Sequence, residues 1–78
     1  MYPYGTRVVV NGGGILVENC KNREYAIQEY RNNYTIENKK GVVEGYKQIG
    51  NRSRLYYIKF DDGTYGVEIA EQYLLYSS

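Results

Sequence analysis

The chain has no histidine and no tryptophan, and only one cysteine, one proline, one phenylalanine and one methionine among 78 residues. Each shortage excludes something. Without histidine the commonest general base is missing, and so is the usual partner of a Ser or Cys nucleophile. Cys20 therefore has nothing to activate it and no second cysteine to bond with, and it is expected to be a packed or surface residue in a reducing compartment. One cysteine and no histidine cannot furnish the N/S ligand set of a zinc site, and no metal or cofactor is expected. Excess charge of either sign is also scarce. A formal net charge of +1 argues against binding built on bulk attraction to nucleic acid, and equally against an acidic DNA mimic. No window approaches the roughly 18 apolar residues of a membrane span. Met1-Tyr2-Pro3-Tyr4-Gly5-Thr6 lacks the basic start and apolar stretch of a signal peptide, so the expected location is the cytoplasm of a host cell.

Tyrosine is abundant. Its 11 copies raise the aromatic share to 15%, and each can bury a ring while its hydroxyl stays wet, so tyrosine must supply both core and surface. The length is close to the smallest at which one hydrophobic core stands without disulfides or metals, and residues 1–78 are read as a single domain.

Thr6-Arg7-Val8-Val9-Val10 is a β-branched run that predicts a first strand. Asn11-Gly12-Gly13-Gly14 predicts a flexible turn after it, with Ile15-Leu16-Val17-Glu18 resuming an extended segment. Residues 22–31 fit a short helix with Asn22 as N-cap and Tyr25, Ala26 and Tyr30 on one stripe, although a strand reading stays open. Tyr34-Thr35-Ile36 reads as extended and Asn38-Lys39-Lys40-Gly41 as a turn. Beyond Gly41 the signals agree. Val42 to Tyr46 is a strand, Gln48 to Ser53 a polar loop, and Leu55-Tyr56-Tyr57-Ile58-Lys59-Phe60 a second strand with Tyr56, Ile58 and Phe60 on one face. Asp61-Asp62-Gly63-Thr64 is a hairpin signal, because glycine accepts the positive φ such turns require. The returning strand is expected to point Tyr65, Val67 and Ile69 inward and Gly66 and Glu68 outward, completing a core with Val43 and either Val8 or Val9. One helical turn at 70–73 then leads to a terminal strand at Leu74-Leu75-Tyr76.

The opening strand, the Gly-Val-Val strand, the Tyr-Tyr-Ile-Lys-Phe-Asp-Asp-Gly hairpin and the single turn before a last strand resemble the SH3-like small β-barrels of Tudor and KOW type. The resemblance covers Gly41 to Tyr76, with Tyr4 to Val10 as first strand. It implies an all-β barrel of about five strands in which residues 11–40 form an unusually long first excursion. It identifies an architecture, and an architecture hosts many functions.

No catalytic set emerges. Gly12-Gly13-Gly14 lacks the Gly-Lys-Ser/Thr of a Walker loop, and Val17 stands where the dinucleotide fingerprint needs another glycine. Asp61 and Asp62 are explained by turn chemistry. The expectation is a non-enzymatic protein-binding module, a small phage or mobile-element inhibitor or adaptor acting on a host or viral protein, since tyrosine and arginine most often anchor interfaces. A nucleic-acid-binding barrel is the alternative, with the basic 39–59 segment on phosphates and Tyr46, Tyr56 or Tyr57 stacked on bases. A sponge for an anionic nucleotide signal is a third reading. Two groups of residues are singled out. Lys47, Arg52, Arg54, Tyr57 and Lys59 are expected to share one surface on the central hairpin, and Tyr25, Tyr30, Arg31 and Tyr34 to elaborate the excursion.

Overall fold

The computed structural model describes residues 1–29 and 32–77, with the side chain of residue 32 not described. In chain order the elements are β1 (Arg7–Val17), α1 (Arg23–Glu29), β2 (Asn32–Ile49), β3 (Ser53–Phe60), β4 (Tyr65–Ala70), a 3₁₀ turn (Glu71–Tyr73) and β5 (Leu74–Tyr76). All pairings are antiparallel, in the order β2-β3-β4-β1-β5, and an additional pairing of β2 with β1 closes the sheet on itself. The result is the expected small all-β, barrel-like sheet of five strands. The helix forms where expected, and Asn22 caps it by accepting the Tyr25 N–H at 2.8 Å.

Two expected turns do not form. Asn11-Gly12-Gly13-Gly14 lies inside β1, where its glycines pair with Ile36, Thr35 and Tyr34, and Asn38-Lys39-Lys40-Gly41 lies inside β2, where Lys39, Lys40 and Gly41 pair with Val10, Val9 and Val8. The register passes from Val10↔Lys39 to Gly12↔Ile36, so Glu37 and Asn38 together oppose Asn11. Asn38 takes a positive φ of 48° there, and the two asparagines clasp the bulge: the Asn11 side-chain oxygen accepts the Asn38 amide at 2.8 Å and its side-chain nitrogen donates to the Asn38 oxygen at 2.9 Å. The excursion is thus a long two-stranded continuation of the barrel with a helix at its far end.

A second bulge re-phases β4. Tyr56 pairs with Ile69 but Ile58 with Gly66, so Val67 and Glu68 together oppose Tyr57, with Glu68 at φ 57°. Gly66 and Ile69 therefore face the barrel interior, where Gly66 makes room for the Phe60 ring. Tyr56, Ile58, Phe60, Val8, Val43 and Ile69 form that interior as expected, with Val10, Ile36 and Leu74. Tyr65 and Val67, expected in the same core, instead form a second cluster with Val17 and Ala26 on the opposite face of the sheet, beneath α1. The helix docks because Gly45, at φ 153°, leaves space for the Arg23 guanidinium, which donates to the Glu44 carbonyl at 3.1 Å and lies 5.7 Å above the Tyr57 ring.

The β3–β4 turn carries two charge pairs. Arg7 grips Asp61 with two hydrogen bonds of 2.6 and 2.8 Å, and Lys39 reaches Asp62 at 2.8 Å. The Arg7 hydrogen bond holds the Asp61 carboxyl below its ordinary range. Lys39, helped by Thr64, pulls Asp62 down to about 2. Carboxyls depressed in the folded state stabilise it fully above their ordinary pKa of 3.8, and that contribution fades as pH falls toward about 2. Melting temperature should accordingly drop through this window, and Asp62→Asn should flatten the drop. An equally steep acid limb in the variant would remove Asp62 as its source.

Candidate functional site

One end of the barrel is lined with tyrosine. Tyr46 of β2 and Tyr56 of β3 are cross-strand partners with ring centroids 5.8 Å apart. The amino-terminal segment crosses this end and sets Tyr2 edge-on to Tyr56 at 5.8 Å, while Tyr76 of β5 lies 4.8 Å from Tyr2 on its other side. The four rings form one continuous row. Tyr56 anchors it in the core, whereas Tyr46 is 44% and Tyr76 69% exposed.

A polar chain holds the row in place. The Tyr2 amide donates to the Tyr56 hydroxyl at 3.0 Å, and the Tyr2 hydroxyl donates to the Leu74 carbonyl at 2.9 Å. The Tyr56 hydroxyl in turn donates to Glu71 Oε1 in a short hydrogen bond. Burial, reinforced by this bond to a carboxylate, pushes Tyr56 up to about 12, and the same bond draws Glu71 below its ordinary range. Tyr56 therefore remains a neutral donor at physiological pH. Arg54 completes the site, its Nη1 3.5 Å from Glu71 Oε1 and its guanidinium 5.9 Å from the Tyr46 ring centroid. Beside the row opens a cleft of about 600 Å³, walled by Tyr2, Leu74 and Tyr76 and edged by Arg52, Arg54 and Glu71.

The residues expected on one hairpin surface are divided. Gln48↔Arg54 and Tyr46↔Tyr56 put Arg54 on the tyrosine face, whereas Lys47↔Leu55 and Gly45↔Tyr57 put Lys47 and Tyr57 on the other. Lys47 there lies 3.8 Å from Glu68, Tyr57 packs under Arg23 against the second cluster, and Lys59 lies 5.8 Å over the Tyr65 ring. Arg52 sits exposed near the tip of the β2–β3 hairpin. Tyr25 and Tyr34 meet at a separate cleft of about 310 Å³ between α1 and the strand ends, with Glu18 and Glu29 at its edge. Tyr30 and Arg31 lie outside the described residues.

Tyr2, Tyr76 and Glu71 were not singled out by sequence reasoning. For the two tyrosines the signal was the surplus of tyrosine over what so small a core absorbs, with tyrosines close to both ends of the chain, and Glu71 had none. Cys20 is half-buried, its thiol donating to the Asn22 carbonyl at 3.1 Å. Among the described residues no group of three or more His, Cys, Asp or Glu side chains could hold a metal, and no helix is long and apolar enough to cross a membrane. No known protein family, curated protein or solved structure matches the chain. The functional reading therefore rests on the chemistry of the site itself.

Proposed function

We propose that this domain is a non-enzymatic protein-binding module, an inhibitor or adaptor acting on a host protein in the cytoplasm, and that it engages its partner through the tyrosine-lined end of an SH3-like barrel. The observation that carries this reading is the unbroken row Tyr46–Tyr56–Tyr2–Tyr76, exposed at both ends and anchored in the middle. Rigid aromatic rings give a partner contact area at little entropic cost, and tyrosine and arginine are enriched among the residues that dominate binding energy. Tracking of a nucleic-acid backbone is supported less. Of the cations in the basic 39–59 segment, Lys39 stands 2.8 Å from Asp62 and Lys47 3.8 Å from Glu68, and a cation already beside a carboxylate releases few counterions on meeting a phosphate.

The immobilised domain should recover a host protein in near-stoichiometric amount. Tyr46→Ala combined with Tyr76→Ala should weaken that interaction by about 2 kcal/mol, roughly thirtyfold, with the fold intact because both rings are largely outside the core. Recovery of no protein partner by the parent, or equal recovery by the double variant, would count decisively against this reading.

A further inference from the structure

The arginines of this protein are not equally satisfied. Arg7 spends two N–H groups on both oxygens of Asp61. Arg23 donates to a backbone carbonyl and lies on a ring. Arg54 differs. Its ion pair among the described residues is long, 3.5 Å, and goes to the same Glu71 oxygen that already accepts the Tyr56 hydroxyl. Its Nε–H is buried with no acceptor among the described residues. Arg52, two residues away at the rim of the same cleft, is exposed and has no carboxylate partner among the described residues. Among the described residues, two guanidinium groups thus border a cleft lined by a single carboxylate, and that carboxylate is already engaged.

We propose that this cleft receives an acidic segment of a protein partner, with a carboxylate bound by Arg54 and Arg52 and a neighbouring apolar or aromatic side chain laid on Tyr2 and Tyr76. The inference rests on the protein-binding reading and specifies what is bound. The Arg54 fork makes only a long contact, to an oxygen already taken, and the planar fork of arginine suits a carboxylate in bidentate geometry. Leu74 and the tyrosine rings supply the apolar wall that the rest of such a segment needs. A continuous phosphate backbone fits less well, because Glu71, on the same edge as the two arginines, would face its successive charges.

A random dodecapeptide display library selected on the whole domain tests the proposal. Enriched sequences should place Asp or Glu beside Leu, Phe or Tyr, and a synthetic peptide from that set should bind at least about tenfold more weakly to the Arg52→Gln/Arg54→Gln variant. Arg54 also packs on Tyr46, so Arg52→Gln alone is the second variant. It should leave the melting temperature unchanged and still weaken the peptide severalfold. Unchanged affinity in the Arg52→Gln variant, or enriched peptides free of acidic residues, overturns the proposal. If such neutral peptides are lost on Tyr46→Ala/Tyr76→Ala, the protein-binding reading stands and only the acidic occupant falls. Tight oligo(dT) binding that falls steeply with salt, with no peptide enrichment, overturns both.

Discussion

Phe60→Ala is expected to lose about 3 to 5 kcal/mol of stability, enough to leave much of the protein unfolded at ambient temperature. Phe60 is 2% exposed in the middle of the barrel cluster, its ring packed beneath the space left by Gly66 and 5.2 Å from the Lys39 ammonium. Removing the ring forfeits its burial and leaves a cavity that strands paired on both sides cannot collapse to fill. Urea denaturation followed by circular dichroism measures the loss. A midpoint within error of the parent would place Phe60 outside the core.

The second large effect is the reverse, an added methyl. Gly41 is buried where β2 passes from one partner to the next, opposite Val8 on β1 and Phe60 on β3. A Cβ at this position would run into the Lys59 carbonyl oxygen and come 2.9 Å from Phe60 Cα. Both are backbone atoms held in the ladder, so neither can swing aside as a side-chain tip does. Gly41→Ala should therefore cost about 3 kcal/mol or more, at the upper end of overpacking effects. Gly13→Ala is the control, since nothing lies within 4 Å of its Cβ position. Thermal melting of the pair separates crowding from a general effect of replacing glycine in a strand. Equal melting temperatures for the two variants would show that β2 tolerates a side chain at the crossover.

The central hairpin was legible because its signals are local. Alternation along Tyr56, Ile58 and Phe60 sets their shared face, and Asp62-Gly63 sets the reversal that follows. The helix was legible for the same reason, through the Asn22 cap. Asn11-Gly12 and Asn38 are local signals too, but they specify only a backbone that leaves the extended region. A tight turn and a bulge both satisfy that, and which one forms depends on a strand 27 positions away. The bulge at Val67 and Glu68 acts in the same manner: strict alternation puts Tyr65, Val67 and Ile69 together, and one extra residue separates them into two clusters.

The site divides along the same line. Lys47, Arg52 and Arg54 are legible as flanks of the Gly50 turn, and Tyr57 and Lys59 as the outward face of one strand, but one shared surface does not follow from that. Alternation along β3 keeps Tyr57 and Lys59 opposite Tyr56 and puts Arg54 with Tyr56, while the bulge at Glu44, between Val43 and Gly45, turns Lys47 to the side of Tyr57, over which the helix lies. Tyr2 and Tyr76 lie 74 positions apart, and no pattern in the chain announces that their rings meet. The sequence by itself determined that this is a small β domain, rich in tyrosine and without histidine, because composition and period-2 alternation are properties of the chain alone. Which tyrosines form a surface and which arginine is left short of partners follows from the closing of the sheet, which brings together residues that no local rule relates.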